Sequence, residues 1–374
     1  MKDVFHSLGD DKMKITLLII LSSLVLLIGC NPQTTPSITN VVQKPLAFVD
    51  ASDESIQLVK YPERIVIEGK LTQMILDFYL LFPGQSQKLV GIQKRLQTVI
   101  DFIKIIDPSV LSKLNLEENA SAEQVAPLNP DLVIMKSSLK NTLGSPYKTI
   151  NIPVVYMDFE NPAQIEREIS NLGRILNQNK KATEINQLFI TWQELVTKKT
   201  ANLNANEKPR VLLLQYSERN GVVAFDVPPA SWLQTQMVEM AGGVPVWKDL
   251  AKSGGWMTVS LEQIAAWDAD QIFIINYSGN SALIVDKLFN DSSWQSLRAV
   301  KNNSIFGFPG DFLSWDQPDP RWVLGLNWLG NKIHPELINF DKDTIINRFF
   351  KEFYNLDTSV INGKITTILK GNLN

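Results

Sequence analysis

The sequence predicts an α/β fold built from two related halves that one long α-helix joins. Three observations lead to this prediction. Short β-branched segments alternate with helical segments in both halves, a 14-residue pattern occurs twice, and a long amphipathic pattern lies between the halves. Because strand–helix alternation is typical of parallel sheets, we expect mainly parallel strand pairing.

The composition is that of a globular protein. Of 374 residues, 44% are hydrophobic and 20% are charged, which excludes disordered, collagen-like and coiled-coil chains. A net charge of −3 is a poor match to a nucleic-acid-binding surface. Cys30 is the only cysteine, and His6 and His334 are the only histidines. An intramolecular disulfide and a Cys-rich or His-rich metal site are therefore excluded, and no metal site or cofactor is expected.

The N-terminal segment predicts export and lipidation. Residues 15–29 are uncharged and mostly aliphatic. This run is short of the ~20 residues that span a bilayer but suits a signal peptide. It ends at Gly29-Cys30, which resembles a bacterial lipoprotein signal. We expect a signal peptide at 1–29, lipidation of Cys30 and a flexible tether over 30–45, which would anchor the protein on the extracytoplasmic side of a membrane. A plain secretory signal with an incidental cysteine is the alternative, and translation starts at Met1 or Met13.

The pattern of the first half predicts a hairpin followed by strands and helices. Residues 48–67 alternate like a hairpin around Asp50–Ser55, and a helical pattern covers 71–82. Strand patterns occupy 64–67, 88–92, 132–135 and 154–157. We expect a first α/β lobe over 46–178.

The second half repeats this arrangement after a helical connection. Asn161-Pro162 is a helix start signal. From Lys180 to about Asn202 apolar residues recur every three or four positions, which predicts a stiff helix of roughly 35 Å. Strand patterns follow at 211–215, 271–276 and 304–308, with helical patterns at 231–241 and 321–332. We expect an interlobe helix over 179–203 and a second α/β lobe over 204–374.

The repeated pattern is SAEQVAPLNPDLVI (121–134) and SLEQIAAWDADQIF (260–273), with five identical positions. Each copy predicts a serine N-cap, a glutamate in the first helical turn and a glutamine that completes a capping box: Ser121, Glu123 and Gln124, then Ser260, Glu262 and Gln263. From the residues alone, stabilisation of the helix starts by the two glutamates is the simpler interpretation.

Five short segments, in this order, resemble the substrate-binding proteins of bacterial ABC importers of the iron-complex and cobalamin type (class III). They are Tyr61-Pro62-Glu63-Arg64-Ile65-Val66, Leu89-Val90-Gly91-Ile92, Asn129-Pro130-Asp131-Leu132-Val133-Ile134, Ala241-Gly242-Gly243 and Pro320-Arg321. The resemblance covers about 46–350 and implies two Rossmann-like lobes with a ligand cleft between them. It implies a partnership with ABC permease subunits and their cytoplasmic ATPase. It also implies that Glu123 and Glu262 dock onto permease arginines.

Candidate ligand contacts come from loops that follow strand ends, where open α/β sheets bind ligands. In the first lobe they are Lys94, Arg95, Lys136 and Ser137; in the second they are Tyr277, Trp315 and Arg321, to which the resemblance adds Trp256. The resemblance places Arg95 and Trp256 at cleft positions. The alternatives are solvated loop charges and core aromatic residues.

The resemblance favours a metal chelate as ligand: a ferric siderophore, haem or a corrinoid. The alternative is an oxyanion such as molybdate or tungstate, which a second branch of the family binds. An enzyme is not expected, because the sequence has no Gly-x-Ser-x-Gly elbow and no phosphate-binding glycine loop. A structural lipoprotein or adhesin would not require the duplicated glutamate pattern. We expect a monomer that binds no nucleic acid.

Overall fold

The computed structural model describes residues 46–94, 99–252 and 254–373, and it confirms the α/β fold class. The strands are β1 (Leu46–Val49), β2 (Ser55–Leu58), β3 (Ile65–Ile67), β4 (Leu89–Ile92), β5 (Leu132–Met135), β6 (Val154–Tyr156), β7 (Arg210–Arg219), β8 (Val222–Val227), β9 (Val244–Pro245), β10 (Met257–Val259), β11 (Gln271–Ile275) and β12 (Ile305–Gly307). All seven strand patterns read from the sequence coincide with one of these strands.

Helices separate most of these strands. They are α1 (Thr72–Tyr79), α2 (Val99–Ile106), α3 (Ala122–Val125), α4 (Ser145–Thr149), α5 (Pro162–Ile175), α6 (Asn179–Thr200), α7 (Leu233–Met240), α8 (Leu261–Trp267), α9 (Ser281–Asn290), α10 (Arg298–Lys301), α11 (Trp322–Ile333), α12 (Lys342–Tyr354) and α13 (Thr358–Val360). Within the described ranges, none of these helices combines the length and the apolar character that crossing a membrane requires.

The first sheet has the strand order β4-β3-β5-β6, and all of its strands are parallel. The central strands β3 and β5 are completely buried, as their continuous apolar sequences predict. The predicted hairpin is confirmed, since β1 pairs with β2 antiparallel. Asp50 ties this hairpin to the sheet because its carboxylate accepts a hydrogen bond from the Tyr156 N–H at 3.0 Å.

The second sheet is mixed, but three of its five described strand pairings are parallel, so together with the first sheet the expectation of mainly parallel pairing is confirmed. Its order is β10-β8-β7-β11-β12, with β9 beside β7, and both β8 pairings are antiparallel. A two-residue turn at Asn220-Gly221 joins β7 to β8, and both turn residues are left-handed (φ 52° and 79°). Asn-Gly is the strongest local signal for such a hairpin, so the sequence carried this information and the prediction overlooked it.

The long helix α6 is confirmed. Its 22 residues correspond to about 33 Å. The predicted apolar stripe is buried at Ile185, Phe189, Trp192 and Val196, and it packs against α5 and α11. The Trp192 indole N–H also donates to Glu352 on α12 at 2.7 Å. Helix α12 therefore braces the long helix.

One hydrophobic core runs through both sheets. Phe102 of α2 contacts Phe312, Phe350 and Tyr354, which lie far along the chain, with ring centroids 5.1 to 6.0 Å apart. The two lobes therefore share packed side chains as well as the helix. The exact domain boundaries at 178/179 and 203/204 stay a prediction.

Candidate functional site

A cavity of about 480 Å³, which we call the first chamber, lies between loops of the two sheets. One wall follows the carboxyl ends of β3, β5 and β6, and the other comes from the second sheet and its helices. The first wall contains Lys70, Leu71, Lys136, Ser137, Asp158 and Glu160; the second contains Trp232, Gln234, Trp256, Tyr277 and Gln317. This is the edge at which parallel α/β sheets bind ligands.

Lys136 is buried in the first wall, with its positive charge neutralised there. Its ammonium donates to the Glu160 carboxylate at 2.6 Å and to the Asp158 carbonyl. Beside it, the Ser137 N–H and hydroxyl donate to the two carboxylate oxygens of Asp158 at 2.8 and 2.5 Å. The two acidic groups of the chamber are therefore already bound by protein groups.

Glu168 holds the backbone that presents Asp158 and Glu160. One of its carboxylate oxygens accepts hydrogen bonds from the N–H groups of Asp158 and Phe159, both at 2.7 Å. Arg167 donates to the other oxygen at 2.8 Å. Burial raises the pKa of Glu168 to about 7, although these hydrogen bonds oppose the shift. Glu168 is therefore a positioning residue for the acidic side of the chamber.

Two residues at the chamber wall have a left-handed backbone that bulky side chains rarely adopt. They are Leu71 (φ 60°), which lines the chamber, and the buried Phe159 (φ 55°), which lies between the wall residues Asp158 and Glu160. The other left-handed residues in the described ranges are glycine, asparagine or aspartate, which tolerate this conformation. Such strain often collects at functional sites, and here both instances adjoin one cavity.

The N-terminus of α1 and Lys70 provide positive potential at the chamber. No side chain caps the N-terminus of α1, whose first residues line the cavity. Unpaired N–H groups at a helix start favour negative charge. Lys70 is exposed and forms no ion pair with another described residue. This end of the chamber is therefore suited to an anionic group.

Aromatic side chains form the opposite wall. The rings of Trp232 and Trp256 meet edge to face at 5.7 Å, and those of Trp256 and Tyr277 at 6.2 Å. The Tyr277 hydroxyl donates to the buried Asp316 carboxylate at 2.6 Å, and burial raises the pKa of Asp316. The wall offers ring surface to a flat or apolar part of a ligand.

The structure brings four predicted residues together in the first chamber: Lys136, Ser137, Trp256 and Tyr277. Sequence analysis missed Lys70, Asp158 and Glu160. Each follows the carboxyl end of a parallel strand, so the rule that identified Lys136 would have found them too. The other missed residues, Trp232 and Gln234, lie at the start of α7, and no strand end pointed to them.

Three predicted ligand contacts are corrected by the structure. Trp315 is completely buried, and its indole N–H donates to Asp311 at 3.2 Å. Arg321 is also completely buried, because its guanidinium binds the carboxylates of Asp77 and Asp311 at 2.6 and 2.7 Å. Lys94 is exposed outside the chamber and pairs with Glu117 at 2.5 Å. The predictions for Arg95 and Cys30 lie outside the described residues.

Both copies of the duplicated pattern begin a short helix after a serine N-cap. The capping box predicted for both is complete in the first copy, whereas the described second copy forms its serine half. The Gln124 side chain accepts from the Ser121 N–H at 2.8 Å as part of a capping box. In the second copy the Ser260 hydroxyl accepts from the Gln263 N–H at 3.3 Å.

The first-turn glutamates of the two copies, Glu123 and Glu262, are exposed. Hydrogen bonds from the adjacent serine hydroxyls lower the pKa of both carboxyls, so both are ionised at neutral pH. The protein therefore carries two equivalent exposed negative charges at helix starts.

His334 ends α11 away from the first chamber. Its imidazole lies 3.2 Å from the Gly242 carbonyl. Across the described ranges, no group of three or more His, Cys, Asp or Glu side chains is arranged to hold a metal ion.

Comparison with known proteins identifies relatives. The sequence profile of the family described as periplasmic binding protein matches residues 78–312. The molybdate-binding protein MolA of Haemophilus influenzae is 21% identical over 269 residues, 66% of this chain and 72% of its own. The haem uptake protein IsdE of Staphylococcus aureus is 25% identical over 191 residues, half of this chain and 62% of its own.

Solved structures share the fold. MolA bound to molybdate superposes with a TM-score of 0.67 at 18% identity, covering 83% of this chain and 98% of MolA. A periplasmic solute-binding protein of Veillonella parvula gives a TM-score of 0.65 at 25% identity, covering 86% and 97% of the two chains.

Proposed function

The chain belongs to the periplasmic binding protein family, class III, and is thus a solute-binding protein of an ABC importer; on this premise we propose that it is lipid-anchored and captures an anionic, metal-containing solute in the first chamber. This is a family of binding proteins, not of enzymes. The captured solute is passed to the membrane permease.

The charge distribution of the first chamber carries this proposal. Asp158 and Glu160 bind protein hydrogen-bond donors and Lys136 is neutralised by Glu160. Asp158 keeps its negative charge, because its Ser137 partners are neutral donors. Lys70 and the uncapped start of α1 supply positive potential at the other end of the chamber. An anionic group binds here without displacing a protein ion pair.

Two classes of anionic solute fit this description. The comparisons support an oxyanion better than a chelate, because the relative that aligns over 269 residues is a molybdate-binding protein. The hydroxyl of Ser138, which lines the same chamber as Lys70, suits an oxyanion. The aromatic wall and the volume of about 480 Å³ instead support a metal chelate, since a single tetrahedral anion would leave both unused. IsdE, whose name includes haem uptake, supports the second class.

A binding panel tests the proposal. The purified protein is titrated with molybdate, tungstate, a ferric tricatecholate, haemin and cyanocobalamin, and binding is measured by calorimetry and tryptophan fluorescence. Trp232 and Trp256 lie in the chamber wall and should report occupancy. We expect saturable, sub-micromolar binding of at least one member. Failure of the whole panel to bind would contradict an anionic metal-containing ligand.

Lipid anchoring at Cys30 has its own test. Cells are fed an alkyne-bearing fatty acid, and the protein is examined for label. We expect a labelled wild type that partitions with membranes and an unlabelled Cys30→Ser variant. An unlabelled wild type would contradict the anchor and leave the binding function untouched.

We also propose that Glu123 and Glu262 dock onto arginines of the permease. The matching exposure and lowered pKa of the two carboxyls support this role. Two fixed charges of the same sign suit a partner that presents two cationic sites.

A further inference from the structure

A second cavity of about 570 Å³ lies beside the first chamber, and the two share Tyr277 and Gln317. We call it the second chamber. Asn276, Ser278, Phe308, Gly310, Phe312 and Ser314 line it, and Asp101 and Lys370 also border it. The loops after β11 and β12 form most of its wall. The two cavities are therefore neighbouring parts of one cleft, with Tyr277 at the boundary.

Tyr277 is held in place as a partition. Its hydroxyl donates to Asp316 at 2.6 Å, and Ser314 donates to the other oxygen of the same carboxylate at 2.5 Å. Gln234 adds a third hydrogen bond to Asp316 at 3.3 Å. The Tyr277 side chain remains 39% exposed, so its ring is available to a ligand on either side.

The C-terminal segment makes the second chamber rigid. Gly310 and Lys370 exchange two backbone hydrogen bonds, at 3.3 and 2.9 Å. Asn372 binds both the N–H and the carbonyl of Gly307, at 2.6 and 2.9 Å. Ser281 donates to the Phe308 carbonyl at 2.7 Å. A wall held at so many points is preorganised, which reduces the entropy lost on binding.

The charged groups of the second chamber are mostly engaged. Asp311 binds Arg321 at 2.7 Å, and Asp101 binds Lys104 at 2.7 Å. Lys370 is exposed. Among the described residues of this wall, Lys370 is the one charged side chain that forms no ion pair with another described residue.

Neutral polar groups face the second chamber instead. The Ser278 hydroxyl, the Gln317 amide and the Asn276 side-chain NH₂ make no hydrogen bond to other described residues. Phe308 and Phe312 supply apolar surface beside them. This combination suits an uncharged group that both donates and accepts hydrogen bonds, such as an amide or a hydroxyl.

We infer that the second chamber is a ligand subsite for the neutral, amide- or hydroxyl-bearing arm of a metal chelate whose anionic part binds in the first chamber. The inference rests on the proposed function and narrows the class of solute to a metal chelate. A single oxyanion would occupy only the first chamber, whereas a chelate with polar arms spans both.

The test fills one chamber at a time. Ser278→Phe places a ring in the second chamber, Ser138→Phe places one in the first, and Ser292→Phe is an exposed control that lines neither. Each variant is first shown to melt as the wild type does. Affinities for cyanocobalamin, the ferric tricatecholate and molybdate are then measured by calorimetry.

We expect the wild type to bind one chelate. Ser278→Phe and Ser138→Phe should each lower the affinity for that chelate at least tenfold, and Ser292→Phe should retain wild-type affinity. Gln317→Ala, which removes an amide without filling space, should lower the affinity for the same chelate severalfold. Chelate binding that Ser278→Phe and Gln317→Ala leave unchanged would overturn the inference but not the proposed function. Binding of molybdate alone would also overturn the inference but not the proposed function. A wild type that binds no probe would overturn both.

Discussion

The Arg321 guanidinium donates to the Asp77 carboxylate at 2.6 Å, with both side chains excluded from solvent. Asp77 lies on α1 of the first lobe, and Arg321 precedes α11 of the second. The Tyr354 hydroxyl also donates to Asp77, at 3.3 Å, and the guanidinium lies 3.9 Å above the Phe102 ring. A buried ion pair therefore joins the lobes beneath the cleft.

Removal of Arg321 should destabilise the protein strongly. Arg321→Met leaves the buried carboxylates of Asp77, Asp311 and Asp319 without their cation. We expect a loss of about 3–5 kcal/mol in the free energy of unfolding, measured by urea denaturation. The control is Arg298→Met, which breaks an exposed ion pair with Asp270 and should have little effect. Equal effects of the two variants would contradict a structural role for the buried pair.

Glu68 should make stability depend on pH. This side chain is almost completely buried beside Tyr147, and burial raises its pKa from 4.5 to about 7. Between these values the folded state holds a proton that the unfolded state has lost, so the contribution of Glu68 to stability falls as pH rises through that window.

Glu68→Gln removes this dependence. We expect the variant to gain roughly 2–3 kcal/mol relative to wild type at pH 8 and little at pH 4.5, as measured by denaturant titration at both values. The exposed control Glu118→Gln should show no comparable change. A variant that follows the wild-type pH profile would show that Glu68 ionises normally in the folded protein.

Lys70 should contribute to ligand affinity, whereas Lys94 should not. Lys70→Gln removes a lysine of the first chamber that forms no ion pair with another described residue, and we expect a loss of about tenfold in affinity for whichever anionic probe binds. Lys94→Gln removes an exposed lysine that pairs with Glu117 outside the chamber. Calorimetric titration of both variants decides the matter, and a larger loss for Lys94→Gln would refute the placement of the site.

The two docking glutamates should be required for transport but not for binding. Combining Glu123→Ala with Glu262→Ala removes both exposed charges, and we expect ligand uptake by cells to be abolished while ligand affinity is retained. The matched control combines Glu118→Ala with Glu166→Ala, which are also exposed but lie outside the duplicated pattern. Normal uptake by the first double variant would rule out the docking role.

The contrast between Arg321 and Lys136 explains why candidate site residues were harder to predict than strands. Both are cations near the ends of secondary-structure elements, and the local sequence pattern does not distinguish them. Lys136 reaches the first chamber, whereas Arg321 is enclosed by Asp77, Asp311 and Phe102. These partners are up to 244 positions distant in the chain, so no local pattern indicates them.

The sequence by itself determined the α/β class, the long helix and the serine-capped starts of the duplicated pattern, because each depends on contacts within a few residues. Tertiary structure alone decided which polar side chains face the chambers and which are buried in pairs. It also decided the turn held by Glu168 and the second chamber braced by the C-terminal segment. These features arise where distant segments meet, and the free energy of burial and hydrogen bonding there depends on both partners at once.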